Sequence, residues 1–211
     1  MKIKSGETVL FIGDSITDCS RSRPIGKGVG LGGGYVSLVD SMLASGFPEK
    51  EIRVLNLGIN GNRITDLESR WQKDVLDLKP DWLVMLIGIN DVWRQFDRPL
   101  DLNQVNIELF EEIFRKLLTD VRPSLSGLVL LSPYFVEINI EHPMRNKMDG
   151  YGAVVRKIAE DFGANFVDLQ SSFDRYLSCR SISSISDDQV HLNKIGHMKI
   201  ASDVFQTLTL V

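Results

Sequence analysis

Cysteine is nearly absent from this 211-residue chain: Cys19 and Cys179 are the two present, and they stand in no paired metal or redox motif. A chain of this length buries about 70% of the surface it exposes when unfolded, so it needs no disulfide framework to hold a core. Histidine is scarce too, with three residues and no cage-like spacing, so neither a metal nor another cofactor is expected. A dominant charge is lacking as well. Lys and Arg number 24 against 28 Asp and Glu, a formal charge of −4, which offers no basic field to nucleic acid or anionic lipid. Long apolar runs are missing. Val9-Leu10-Phe11-Ile12, although preceded by Lys2 and Lys4, is too short for a signal-peptide core, and the Trp82 to Ile89 run ends well before the ~20 residues of a membrane span. With no linker, repeat or low-complexity tract, the expectation is one cytoplasmic domain over residues 1–211, with no membrane and no nucleic acid as partner.

What the chain does have is five short runs rich in apolar and β-branched residues: Val9 to Ile12, Ile52 to Leu57, Trp82 to Ile87, Gly127 to Leu131 and Asn165 to Val167. They lack the alternation of half-solvated strands. Helical spacing separates them, over Tyr35 to Ala44, Ile64 to Leu78, Leu102 to Val121, Arg145 to Phe162 and Ile195 to Leu208, with a short helical piece near Ser171. Pro80 and Pro123 act as stop signals. Continuously apolar strands joined by helical crossovers predict an α/β protein, a three-layer α/β/α sandwich around a five-stranded parallel sheet of flavodoxin-like type.

Ligands of such sheets gather beyond the carboxyl ends of the strands, where the strand order switches. Ser15 follows the first strand, Gly61 the second and Asn90 the third, so one crevice can collect all three. A serine hydroxyl attacks a carbonyl when an imidazole takes its proton, and the imidazole needs an orienting carboxylate. His191 is the best-placed base, with Asp188 three residues before it. His197 falls within a helical pattern as a packing or surface residue, and His142 lies in a loop with no serine motif near it. Asp187 rivals Asp188 but is assigned to solvent or the substrate side. Ser15 also reads as a helix cap, a role compatible with attack, while Asp14 reads as a turn stabiliser. Gly61 reads equally as a turn glycine and Asn90 as a turn former. Together with the serine and histidine patches, the N–H of Ser15, the N–H of Gly61 and the side-chain amide of Asn90 form a candidate oxyanion hole.

Gly13-Asp14-Ser15, Gly61, Gly88-Ile89-Asn90-Asp91 and Asp188-Gln189-Val190-His191 resemble, in order and interval, the four blocks of the SGNH/GDSL hydrolases, with Ile16 where that pattern carries a loose leucine. The resemblance implies the SGNH hydrolase fold and a serine esterase with Ser15 as nucleophile, His191 as base, Asp188 as orienting acid, and Ser15, Gly61 and Asn90 as the oxyanion hole. A closer likeness runs through Phe11 to Cys19, Gly88 to Gln95, Pro143-Met144-Arg145 and Met148-Asp149, which look like the intracellular bacterial acetylxylan esterases of this superfamily. That likeness implies short-chain O-acyl esters, O-acetyl in particular, on xylo-oligosaccharides or related carbohydrates, and leaves homo-oligomer formation open. One departure touches sugar preference. Those esterases tend to carry an aromatic just before the Asp-Xaa-Xaa-His block, where this chain has Ile185-Ser186-Asp187.

Trp93 and Arg94, just beyond Asn90-Asp91, are candidates for the substrate rim. Partial burial of Trp93 in the core is the plainer reading, and Arg94 has Asp91 or Asp97 as ion-pair partners. The Gly26 to Gly34 segment matches Gly-Xaa-Gly-Xaa-Xaa-Gly, but Ser15 to Pro24 separate it from the first strand, so it reads as a flexible loop into the helix near Tyr35, with or without a border on the crevice. The alternatives to an acetyl esterase are a lysophospholipase or thioesterase on the same fold, a catalytically inactive carbohydrate-binding relative, and a metallohydrolase using Asp187, Asp188 and His191.

Overall fold

In a computed structural model, which describes residues 2–209, the five expected strands pair in the order β2-β1-β3-β4-β5, all parallel. They are β1 (Thr8–Gly13), β2 (Arg53–Asn56), β3 (Trp82–Leu86), β4 (Gly127–Leu131) and β5 (Asn165–Val167). All residues of β3 and β4 are buried, as an apolar strand covered on both faces must be. Helices α2 (Tyr35–Gly46), α7 (Leu169–Leu177) and α8 (Lys194–Thr209) pack together on one face. On the other, α3 (Ile64–Trp71), α5 (Ile107–Val121) and α6 (Pro143–Asp161) pack in sequence. The remaining helices, the single turn α1 (Ser15–Asp18) and α4 (Ile89–Asp97), start just beyond β1 and β3. The flavodoxin-like sandwich is thus as expected. No helix among the described residues is long and apolar enough to cross a membrane.

Two glycines set the sheet's inner spacing. A Cβ on Gly127 would sit 2.2 Å from the ring of Trp82, its neighbour across the β3–β4 ladder. The indole therefore lies flat against backbone, with its N–H donated to Glu7 at 3.0 Å. A Cβ on Gly13 would come within 2.1 Å of the Leu86 carbonyl oxygen, so β1 and β3 meet with no room for a side chain just where the strand order reverses. That closeness puts the α1 and α4 N-termini side by side at the switch crevice.

Five details depart from expectation. Gly88 to Asp91 is not a turn: Gly88, at φ +123°, is the N-cap of α4, and Asn90 lies in the first helical turn. Helix α5 begins at Ile107 rather than Leu102, because the Asn106 side chain accepts the Leu109 N–H and caps it there; Leu102 stays exposed in the preceding loop. The Ile64 helix changes after Trp71 into a π-helix over Gln72–Leu76, and α7 starts at Leu169, capped by Asp168. The Gly26 to Gly34 loop is fastened rather than free. Gly26 exchanges backbone hydrogen bonds with Asn56, and the N–H of Gly33 donates to the Cys19 carbonyl.

Candidate active site

Asn56 closes the floor of the crevice. Fully buried at the end of β2, its side-chain amide donates to the carbonyls of Thr17 (2.7 Å) and Leu31 (2.8 Å) and accepts the Gly58 N–H (2.9 Å). Two loops and α1 are thereby tied to one side chain. At its front, Asp14 is the N-cap, accepting the Ile16 N–H at 3.0 Å. Its other oxygen is buried without a partner. Burial therefore pushes the Asp14 carboxyl up to about 7, against the opposing pull of the Ile16 N–H and the nearby His191. The structural part expected of Asp14 is the one it plays.

Ser15, first residue of α1, has an N–H with no intrahelical acceptor, and its hydroxyl faces the crevice. Its Oγ is 3.1 Å from His191 Nε2, across 176 positions of sequence. His191 Nδ1 is 2.6 Å from Asp188 Oδ2. Since a carboxylate can only accept, the ring proton sits on Nδ1 and the Nε2 lone pair faces the hydroxyl. The other Asp188 oxygen accepts the N–H groups of His191 (2.6 Å) and Val190 (3.0 Å). Partial burial pushes the Asp188 carboxyl up, but the His191 ring and these backbone donors outweigh it and hold the group below its usual range.

The Asp188–His191 turn has its own fixings. Gln189 takes a left-handed φ of +67° and its carbonyl accepts the Val136 N–H; the Tyr134 hydroxyl donates to the Val190 carbonyl, and Ser186 Oγ to that of His191. Tyr134, Ser186 and Asn62 give no sequence signal, since they act through backbone carbonyls. The crevice is open: the His191 and Asp188 side chains are 49% and 44% exposed. Asp187 is exposed beside them, off the imidazole. Among the described residues no three His, Cys, Asp or Glu side chains converge as a metal site.

Besides the Ser15 N–H, the expected donors are those of Gly61 and Asn90. Gly61 has φ +79°, with open space where a Cβ would stand, so it is the backbone conformation and not crowding that calls for glycine. Its N–H donates to no group among the described residues, whereas the N–H groups of Ile59, Asn60 and Asn62 are all taken. Asn90 is buried and donates one amide hydrogen to the Asn62 carbonyl at 3.1 Å, which leaves the second for the crevice. Asp91, behind it, accepts the Ile64 N–H at 2.9 Å; its second oxygen is buried and unpartnered, and burial pushes the group up to about 7.

Trp93, half-buried, lies with its ring centre 5.8 Å from that of His191. The Arg94 guanidinium stands 5.5 Å over the Trp93 ring and pairs with Asp97, not Asp91. The other histidines lie apart from this arrangement. His142 packs on Phe135. His197 is buried and looks at first like a second base, with Nε2 3.2 Å from Cys19 Sγ. Its Nδ1 accepts the Tyr35 N–H, however, so the ring proton is on Nε2 and points at sulfur. Burial lowers His197 to about 4 and raises the Cys19 thiol to about 11. Both stay neutral, and the pair packs rather than reacts.

Comparison with known proteins points to one family. The family described as "GDSL-like Lipase/Acylhydrolase family" matches residues 11–199. An acetylxylan esterase of Geobacillus stearothermophilus is 46% identical over 204 residues, 95% of this chain and 93% of that protein. A crystal structure of Axe2, an acetylxylan esterase from the same organism, superposes with a TM-score of 0.97 at 44% identity, covering 100% of this chain and 98% of that one. Structures of catalytic mutants of Axe2, with a serine, an aspartate or a histidine replaced by alanine, match equally well. LAE5, an alpha/beta hydrolase from the metagenome of Lake Arreo, Spain, gives a TM-score of 0.95 at 43% identity, covering 98% of this chain and 97% of that one.

Proposed function

The chain belongs to the GDSL-like lipase/acylhydrolase family and is a carboxylic-ester hydrolase, and from that premise we propose that it removes O-acetyl groups from xylo-oligosaccharides through Ser15. The observation that carries the assignment of residues is the continuous relay from Ser15 Oγ to His191 Nε2 (3.1 Å) and from His191 Nδ1 to Asp188 (2.6 Å). In this reading His191 takes the Ser15 proton as Oγ attacks the acetyl carbonyl. The developing oxyanion accepts hydrogen bonds from the N–H of Ser15, the N–H of Gly61 and the free hydrogen of the Asn90 amide. His191 then gives its proton to the departing sugar oxygen, which leaves as a free hydroxyl, and an acetyl-serine remains. Water, deprotonated by the same imidazole, attacks that ester and releases acetate and Ser15. Asp188 keeps the ring proton on Nδ1 throughout and steadies the imidazolium. Trp93 beside His191 offers an apolar face to a pyranose ring.

The substrate assignment rests on similarity to the acetylxylan esterases, the chemical assignment on the relay. Acetate release from acetylated xylo-oligosaccharides, followed together with 4-nitrophenyl acetate hydrolysis, tests both. Ser15→Ala and His191→Ala are expected to abolish both activities while leaving the thermal unfolding midpoint near that of the wild type. Turnover by either variant at the wild-type rate overturns the residue assignment; cleavage of the aryl ester alone by wild type overturns the carbohydrate assignment.

A further inference from the structure

A cavity of about 200 Å³ opens beside the oxyanion donors, between Gly61 and Arg94. Both walls touch the proposed hole: Gly61 is one of its donors, and Arg94 Nη2 lies 3.5 Å from the Asn90 side-chain oxygen. A group in this cavity therefore belongs to a substrate whose carbonyl sits in the hole, a short way along the same molecule. The remaining walls are charged: Arg63, Arg98, Asp66 and Asp101. With Arg94 that makes three guanidiniums against two carboxylates on the walls, and Asp97, which pairs with Arg94, evens the count, so what matters is which guanidinium is left without a partner.

The guanidiniums are not equally free. Arg63 is drawn toward Asp66 at 3.8 Å and donates to the Asn103 carbonyl, and Arg94 is paired with Asp97. Arg98 makes no ion pair and no side-chain hydrogen bond among the described residues, yet its backbone is fixed. Its carbonyl accepts both the Asp101 N–H (3.0 Å) and the Gln104 side-chain amide (2.7 Å), and its N–H donates to the Arg94 carbonyl. An unpaired planar cation on a held backbone, at the mouth of a pocket, is complementary to a planar monoanion that accepts two parallel N–H groups. A dianionic phosphate would confront Asp66 and Asp101; a carboxylate carries the smaller charge.

We propose that this cavity is a subsite for a carboxylate-bearing sugar, a uronic acid linked next to the acetylated residue, and that Arg98 is the residue that selects it. The subsite rests on the carbohydrate-ester reading above. Its test compares kcat/KM on two acetylated xylo-oligosaccharides, one neutral and one carrying a uronic acid beside the acetylated sugar. Wild type is expected to prefer the acidic substrate by about tenfold at low ionic strength, the scale of one charge-assisted hydrogen bond. Half-molar sodium chloride shrinks that ratio. Arg98→Ala brings it to about one, Arg98→Lys keeps only the part due to charge because an ammonium has no planar fork, and Arg98→Glu inverts it, which a merely structural role would not do. Equal kcat/KM on the two substrates in wild type, or a preference surviving in Arg98→Ala, overturns the subsite while leaving the esterase reading intact. Failure to cleave either oligosaccharide overturns the carbohydrate reading and the subsite together.

Discussion

Replacing Asp188 by asparagine should harm this enzyme more than removing the side chain altogether. In the native turn one Asp188 oxygen takes the His191 ring N–H at 2.6 Å, and the other takes the backbone N–H groups of His191 and Val190 at 2.6 and 3.0 Å. Asparagine keeps one oxygen. If that oxygen stays with the two backbone donors, the amide N–H faces Nδ1, the ring proton moves to Nε2, and the imidazole becomes a donor toward Ser15. If the amide flips to serve the ring, two backbone hydrogen bonds are lost and two donors meet the amide nitrogen. At about 1–1.5 kcal/mol for each bond, the flip costs about 2–3 kcal/mol, so the useful tautomer falls to roughly 1–3%. Loss of imidazolium stabilisation comes on top, and a kcat decrease of about 10³–10⁴ is expected. In Asp188→Ala nothing imposes the wrong tautomer. Because the turn is half exposed, water reaches Nδ1 and both backbone donors, and the loss should be at least threefold smaller. Steady-state hydrolysis of 4-nitrophenyl acetate measures both rates, and nitrogen-15 NMR of the imidazole reads the tautomer. An asparagine variant faster than the alanine variant, or one whose ring proton remains on Nδ1, would refute this reasoning.

Asn90→Ala removes one of the three proposed oxyanion donors and should lower kcat by about 100-fold with KM little changed, measured on the same ester; a loss under threefold would take Asn90 out of the hole. Asp91→Asn addresses stability. Asp91 is raised to about 7 in the fold from an ordinary 3.8, so the native state keeps a proton that the unfolded chain has already released. Stability is therefore full below about pH 4 and declines as pH rises toward 7, by on the order of 4 kcal/mol. Asparagine still accepts the Ile64 N–H but does not titrate, so thermal unfolding from pH 4 to 8 should show a flatter decline, with part of the slope left because Asp14 is raised in the same way. Identical slopes in variant and wild type would contradict the burial argument.

The strands were legible because a sheet covered on both faces writes itself as unbroken apolar runs, and the relay because a serine motif and Asp-Xaa-Xaa-His are local patterns even when far apart. Helix α4 was hidden by its own start. Gly88-Ile89-Asn90-Asp91 has turn composition, yet glycine at φ +123° and the short polar side chains there begin a helix at the strand end. Leu102 looks like the start of the apolar stripe of a longer α5, but it projects into solvent ahead of the Asn106 cap. The roles of Asn62, Ser186 and Tyr134 had no sequence expression, because each makes or receives a bond through main-chain carbonyl groups that every residue possesses. The donors of Asn56 and of the backbone around it are spent on fastening neighbouring segments, with the Gly61 N–H left over.

The exposure of His191 and Asp188 bears on which molecule resolves the acylated serine. No part of the relay is roofed over, so the acetyl-serine would stand at the boundary with bulk solvent, where water at tens of molar competes with any sugar hydroxyl. A protein built this way favours irreversible removal of its acyl group over handing it to a second alcohol, and it can release each deacetylated chain without first opening a cover.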